Sequence, residues 1–147
     1  MKIKKILVPL DGSKNSIRGL DIAIDFARNH NATIVALSVK KLPGVYALHP
    51  LGFMEITSRD EAKKILDDAK LRAAKKGIQV VTRYLGGDPG FEIARYANSS
   101  KYGIDLVVIG TRGHSSIKEM FLGSVSNYVL HKSKKPVLLA RWGNIFS

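Results

Sequence analysis

Three glycines and a serine in the second half of the chain have a spacing that could hold a phosphate group. Two residues separate Gly110 from Gly113, and nine more precede Gly123 and Ser124. Glycine lets the backbone approach an anion closely and adopt positive φ angles. Free N–H groups at the start of a helix at Gly123, together with the helix dipole, favour a phosphate there. The spacing therefore predicts a phosphate site, with a plain turn and tight packing as the structural alternative.

Further hydrogen-bond donors lie within and just after this segment: Arg112, Ser115, Ser116, Ser124 and Ser126. Two interpretations of Arg112 stay open, since its guanidinium either pairs with a phosphate or faces water. His114 lies in the same loop and is the histidine that we expect to be worth testing for ligand contact. The four histidines show no spacing typical of metal ligands, and no metal site is expected.

A carboxylate follows the first apolar run of the chain, in the segment Asp11-Gly12-Ser13. At the end of a strand, Asp11 could accept hydrogen bonds from ribose hydroxyls. A general base is possible at this position, but no second carboxylate or paired base is apparent in the sequence. Ribose binding is therefore the favoured interpretation, and no catalytic residue is assigned.

The hydrophobic pattern predicts alternating strands and helices around these residues. Apolar, β-branched runs predict strands over 3–10, 33–39, 78–85, 105–109 and 136–140. Helices are expected between them: one capped by Ser13 and ended by 29–31, one over about 55–76, one opened by Pro89 with Phe91 on its apolar face, and one over 123–130. Segment 42–52 reads as a loop long enough to be a lid, and 141–147 as an irregular tail.

This alternation is typical of a single α/β domain over 1–147, with a parallel sheet and helices on both faces. In such sheets ligands bind beyond the carboxyl ends of the strands, where the strand order reverses. Segments 9–13 and 110–113 both follow predicted strands. If these two strands are neighbours, both segments border one crevice.

Composition narrows the class of protein further. The chain has 147 residues and no cysteine, which excludes disulfides and thiolate metal sites. No apolar run is long enough to span a membrane, so a soluble cytoplasmic protein is expected. The net charge is +12, with lysine clusters scattered along the chain. A solvated, lysine-rich surface is the favoured interpretation, and a polyanionic partner such as nucleic acid stays open. Neither a P-loop nor a G-x-G-x-x-G motif occurs.

The spaced glycine motif, Gly110-x2-Gly113-x9-Gly123-Ser124, resembles that of the ATP-binding branch of the universal stress protein family. The agreement extends to ILVPLDGS near the start of the chain, to GGDP at the exit of the third strand, and to DLVVIGTRG and GSVSNYVLHKSKKPVLLA in the C-terminal half. The resemblance covers essentially the whole chain. It implies a Rossmann-like fold, similar to that of the adenine nucleotide alpha hydrolases, with strand order 3-2-1-4-5.

The resemblance also implies ATP as the ligand, with Mg²⁺ or Mn²⁺ carried by its phosphates. Pro9 and Val39 would flank the adenine, Asp11 would hold the ribose, segment 110–116 would wrap ribose and phosphates, and the start of the last helix would grip the phosphates. The full implied set is Pro9, Leu10, Asp11, Val39, Gly110, Thr111, Arg112, Gly113, His114, Ser115, Ser116, Gly123, Ser124 and Val125.

A nucleotide-dependent sensor or regulator is the function that the resemblance implies, acting as a homodimer paired through Val137–Ala140. Pairing would also protect an exposed apolar edge. ATP would order the loop over 110–125, and possible hydrolysis would be slow because no base or arginine finger is apparent. A slow ATPase or adenylate-handling enzyme and a nucleic-acid-binding module are the alternatives. The downstream protein partner is not indicated by the sequence.

Overall fold

A computed structural model describes residues 1–41, 51–111 and 122–141, and of 51–58 it describes the backbone alone. Strands and helices alternate along the chain. Their order is β1 (Lys5–Pro9), α1 (Lys14–His30), β2 (Thr33–Lys40), α2 (Leu51–Ala74), β3 (Val80–Gly86), α3 (Pro89–Asn98), β4 (Leu106–Gly110), α4 (Ser124–Lys132) and β5 (Val137–Ala140). Within these residues, no helix has the length and apolar character that a membrane crossing requires.

The five strands form one parallel sheet in the order β3-β2-β1-β4-β5, which confirms the predicted fold class and strand order. Helices α1 and α2 cover one face through a core that includes Leu20 and Leu66. Helices α3 and α4 cover the other face through a core that includes Ile93 and Val129. Because β1 is buried on both faces, its apolar residues run without alternation, as parallel strands require.

Local sequence signals account for most helix ends. The Ser13 hydroxyl accepts a hydrogen bond from the N–H of Ser16 (3.2 Å) and caps α1, as predicted. Asn31 ends the same helix in the left-handed region, with φ of 53°. At α3, the Asp88 carboxylate accepts from the N–H of Phe91 (3.0 Å) and a proline occupies the first turn.

Two expectations were wrong in detail. The loop predicted over 42–52 cannot include residues 51 and 52, because α2 begins at Leu51. A proline directly before that residue is compatible with a helix start, since the first N–H groups have no intrahelical partner.

Phe91 is 50% exposed and does not belong to the apolar face of α3. Ala94 and Ala97, which were predicted on that face with Phe91, are buried there, together with Gly90, Ile93 and Tyr96.

Other boundaries shift by a few residues. Strand β3 begins at Val80 rather than at 78, and α2 ends at Ala74 rather than at 76. Inward-facing side chains predicted for α4 are Val125, Tyr128 and Val129, of which Val129 is fully buried and the other two are half-buried. The loop over 42–50 and the tail over 142–147 lie outside the described residues.

The start of α1 packs unusually closely against the end of β4. A Cβ built on Gly110 would overlap the carbonyl oxygen of Asn15, which belongs to the backbone and cannot rotate away. A Cβ on Gly19 would lie 3.1 Å from the Gly110 nitrogen. Helix α1 therefore reaches the sheet because both facing positions lack side chains. This gives Gly110 a packing role independent of any ligand.

We expect Gly110→Ala to destabilise the fold by more than about 3 kcal/mol, because its methyl group overlaps backbone that only a shift of α1 can move. Gly77→Ala is the matched control. No atom lies within 4 Å of a Cβ there, and only its φ of +73° opposes the change, at a cost of about 1–2 kcal/mol. Urea unfolding of both variants measures the difference, and equal losses would contradict the packing role of Gly110.

Candidate functional site

A cavity of about 310 Å³ opens at the carboxyl edge of the sheet. Its size lies at the lower end of the range usual for small-molecule sites. Nine residues of the set implied by the family resemblance line it: Pro9, Leu10, Asp11, Val39, Gly110, Thr111, Gly123, Ser124 and Val125. Ser126, which the sequence analysis named as a hydrogen-bond donor, also lines it. These are all of the predicted site residues that the structure describes. The other five, Arg112, Gly113, His114, Ser115 and Ser116, lie outside the described residues.

Strand order explains why segments that are distant in sequence border one cavity. Strand β1 pairs with β2 on one side and with β4 on the other, with Pro9 opposite Leu37 and Leu7 opposite Val107. The strand order reverses at this point, which is where ligands bind in open α/β sheets. The N–H of Leu10 continues the pairing by donating to the carbonyl oxygen of Leu37 (2.8 Å). The chain then turns at Asp11 along the cavity rim.

Asp11 is held in place by its own turn. Its carboxylate accepts a hydrogen bond from the N–H of Ser13 (2.9 Å), and the side chain is exposed at the rim. Partial enclosure of the carboxyl acts to raise its pKa, but hydrogen bonds from Ser13 and Ser16 outweigh that effect and lower the pKa below its ordinary value of 3.8. Asp11 is therefore ionised at neutral pH and can only accept hydrogen bonds. A sugar hydroxyl is a suitable donor.

The N-terminus of α4 faces the cavity without a capping side chain. Gly123 occupies the cap position, with φ of −62° and ψ of 159°, and makes no side-chain hydrogen bond. The hydroxyl of Ser126 donates backwards to the Gly123 carbonyl (3.1 Å) and so caps nothing. By contrast, α1 and α3 satisfy their own first turns through Ser13 and Asp88. Among the described residues, no side chain caps the first N–H groups of α4, and such groups favour an anion.

Thr111 lines the cavity but has little left to donate. It is 4% exposed, and both its N–H (3.2 Å) and its hydroxyl (3.3 Å) donate to the carbonyl oxygen of Ala140. These bonds tie the chain leaving β4 to the end of β5. Thr111 therefore positions the segment that follows it, rather than presenting a free donor to a ligand.

One side of the cavity is apolar and was predicted only in part. Pro9 and Val39 were expected there, and Pro89, Ile93 and Ile109 also line it. Pro89 and Ile93 belong to α3, the helix that connects the edge strand β3 to β4 on the other side of β2 and β1. No local pattern in the sequence marks them, because their place depends on where α3 packs. An apolar wall of this kind suits a flat aromatic ring.

Polar residues at the start of α1 also line the cavity and were not predicted as site residues. Ser13, Asn15 and Ser16 lie there because α1 begins directly after the Asp11 turn. Their position in the sequence, within five residues after Asp11, is the feature that could have identified these three residues. Ser126 completes the lining at α4.

Charged groups are sparse around the described part of the cavity. Asp11 is the one carboxylate in that lining, which includes no lysine, arginine or histidine. Within ranges 1–41, 51–111 and 122–141, no three acidic, histidine or cysteine side chains are grouped so that they could hold a metal. Described residues therefore supply hydroxyls, backbone N–H groups and one carboxylate. This set is chemically suited to hydroxyl and phosphate groups.

Comparison with known proteins agrees with this arrangement. The model of the universal stress protein family matches residues 2–141. Universal stress protein YxiE of Bacillus subtilis is 39% identical over 147 aligned positions, which cover 93% of this chain and 98% of that protein. Universal stress protein MJ0531 of Methanocaldococcus jannaschii is 32% identical, covering 94% of this chain and 82% of that protein.

Solved structures extend the similarity to the fold. UspA from Lactobacillus plantarum is 27% identical with a TM-score of 0.83, covering 96% of this chain and 99% of that one. A universal stress protein in complex with cAMP is 27% identical (TM-score 0.71, coverage 96% and 98%). One from Archaeoglobus fulgidus in complex with dAMP is 25% identical (TM-score 0.68, coverage 95% and 98%). A family match over nearly all of its length and a relative of 39% identity show that the chain belongs to the universal stress protein family.

Proposed function

We propose that this protein binds ATP in the cavity at the carboxyl edge of the sheet and acts as a nucleotide-dependent regulator. The observation that carries the proposal is the open N-terminus of α4, which lies across one cavity from the ionised Asp11 carboxylate. Phosphate and ribose require these two opposite kinds of group. Complexes of two solved relatives with cAMP and dAMP support an adenine nucleotide as the ligand class.

Each part of the nucleotide has a matching surface in this proposal. The adenine packs against the apolar wall at Pro9 and Val39, and Asp11 accepts from the ribose hydroxyls. The phosphates lie at the start of α4, where Gly123, Ser124 and Val125 present N–H groups, together with the Ser124 hydroxyl. Segment 110–116, with Arg112 and His114, is proposed to wrap the ribose and phosphates. A divalent cation would be carried by the phosphates.

Binding without rapid turnover is the activity that this set of groups favours. Asp11 is the carboxylate of the described lining, and its hydrogen bonds to Ser13 and Ser16 keep its pKa low. A carboxylate with a lowered pKa is a weak general base. Any ATP hydrolysis is therefore proposed to be slow.

A homodimer paired through β5 is part of the proposal. Strand β5 (Val137–Ala140) is an edge strand that bonds only to β4 within the sheet. Val137, Leu138 and Leu139 remain half-buried. A second copy pairing at this edge would cover their apolar surface and the unpaired backbone groups.

We expect ATP to raise the thermal stability of the wild-type protein. Binding to the folded state alone adds about 2.7 kcal/mol at 100 times the dissociation constant, which corresponds to a rise in Tm of roughly 5–10 °C. Differential scanning fluorimetry with ATP, AMP and adenosine measures the shift. Equal shifts for all three ligands would argue against a phosphate site at α4, and the absence of any shift would refute nucleotide binding.

Gly123→Asp should weaken the response to ATP by at least tenfold in affinity, and the ligand-free fold should be unchanged or slightly more stable. The new carboxylate can cap α4 itself, and it places a negative charge where the phosphates are proposed to bind. Gly123→Asn is the matched control, because it caps the helix with the same shape and no charge. Adenosine affinity should be similar in the two variants. Equal ATP affinity in both would contradict repulsion between the new carboxylate and the phosphates.

Asp11 gives a prediction that depends on pH. Because its pKa is lowered in the folded protein, its contribution to stability is fully present above the unfolded value near 4 and is lost as the pH falls through the folded value. Wild type should therefore be more stable than Asp11→Asn at pH 6, with the difference shrinking below about pH 4. Urea unfolding across this range measures it. A difference independent of pH would show that the carboxylate charge contributes nothing.

A further inference from the structure

Lysines that are scattered along the sequence gather at the amino edge of the sheet, opposite the cavity. Every helix-to-strand connection of a parallel sheet returns to this edge. Five lysines lie in the connections into β1, β4 and β5, namely Lys2, Lys4, Lys101, Lys134 and Lys135, and Lys132 is the last residue of α4 at the same edge. We refer to these six residues as the basic edge. All but Lys135, which is half-buried, have exposed side chains.

Negative charge does not balance the basic edge. Asp105 is the one carboxylate in the same connections, and its oxygen already accepts from the N–H groups of Lys4 (2.9 Å) and Lys5 (3.0 Å). Among the described residues, the ion pairs involve Lys40, Lys63, Arg72 and Arg95, and none involves the basic edge. The excess is therefore about five positive charges on one small surface.

Helix dipoles explain only a small part of this excess. The C-termini of α3 and α4 lie at this edge, and each carries about half a negative charge, or about one charge in total. Six lysines and one aspartate give a net charge of about five positive charges, whereas the two helix ends supply about one negative charge. At the other end of the same edge, Arg72, Lys75 and Lys76 share a groove with Asp21, Asp25 and Asp68. The unbalanced charge is therefore concentrated beside β1, β4 and β5.

The backbone that carries the basic edge is held in a fixed shape. The Asn98 side chain donates to the carbonyl oxygen of Lys132 (2.9 Å) and accepts from the N–H of Lys134 (2.7 Å). The hydroxyl of Ser133 bonds both the N–H (3.0 Å) and the carbonyl oxygen (2.9 Å) of Lys135. Asp105 fixes the start of β1 in the same way. Because this backbone is already ordered, binding a ligand here costs little backbone conformational entropy, and the remaining cost is the ordering of the lysine side chains.

We infer that the basic edge binds the phosphate backbone of a nucleic acid without reading its sequence. The starts of three adjacent strands span about 10 Å, over which each strand of a duplex presents roughly three phosphates. Lysine provides a point charge for a phosphate, whereas base recognition typically uses bidentate arginine, asparagine or glutamine contacts in the grooves. The basic edge contains no arginine. Its ligand is therefore identified by charge and spacing alone.

A membrane surface fits these residues less well. Stable attachment to anionic lipid usually combines basic residues with an apolar anchor. Beside the basic edge, Met1 is an exposed apolar residue next to Lys2, whereas the neighbours of Lys101 and Lys134 are polar, namely Asn98 at the end of α3 and Ser99, Ser100 and Ser133. The inference does not depend on the proposed nucleotide function, because the cavity lies at the opposite edge of the sheet.

The test is fluorescence anisotropy with labelled DNA duplexes of two unrelated sequences, titrated over a range of salt concentrations. Both duplexes should bind equally, and the logarithm of the association constant should fall linearly with the logarithm of the salt concentration. The triple variant K4Q/K101Q/K134Q should lower that slope by about 2.7, which is about 0.9 for each lost phosphate contact. These exposed side chains make no described hydrogen bond, so the fold should be retained.

The matched control K14Q/K64Q/K70Q removes the same charge from exposed positions on α1 and α2. Its salt slope should stay close to that of the wild type. Equal slope losses in the two triple variants would overturn the inference, because binding would then follow net charge alone. No binding to either duplex would also overturn it. Binding to vesicles containing an anionic lipid, with none to DNA, would reassign the basic edge to a membrane.

Discussion

The close approach of α1 to the end of β4 is the contact on which the candidate site depends. Gly110 has no side chain where the Asn15 carbonyl passes, and Gly19 faces the same backbone one turn later. Pairing of β1 with β4 places the turn at Asp11 and the exit from β4 at one edge of the sheet, and this contact sets how closely α1 approaches that exit. The start of α4 then completes the cavity. Loss of the contact would move α1 and, with it, the carboxylate that borders the cavity.

Parallel strand direction gives the two edges of the sheet opposite chemistry. Helices begin at the carboxyl edge, where unpaired N–H groups attract anions, and they end at the amino edge, where carbonyl groups attract cations. Capping decides which helix start is available to a ligand: Ser13 and Asp88 close α1 and α3, while Gly123 leaves α4 open. At the amino edge, the positive charge of the lysines exceeds the negative charge that the helix dipoles place there. One topology therefore accounts for both the proposed site for a small anion and the proposed surface for a polymeric one.

The glycines of the spaced motif have separate physical reasons. Gly110 is needed because backbone from another element occupies the space of a Cβ. Gly123 contributes differently, since without a side chain it provides no cap to the first turn of α4. Thr111, between them in sequence, uses its donors to hold β5. Motif residues that share one spacing therefore include both packing residues and candidate ligand contacts.

Sequence by itself determined what short-range physics controls. Apolar runs predicted five strands, Ser13 and Pro89 marked helix starts, and alternation implied a parallel sheet, because these signals act within a few residues. Strand order came from the family resemblance, and the placement of Asp11 near Gly123 followed from it. Only the tertiary structure decided that Ile93 lines the cavity while Phe91 faces outward, and that Gly110 touches Asn15. It also gathered Lys4, Lys101 and Lys134 at one edge, because such contacts depend on how distant elements pack together.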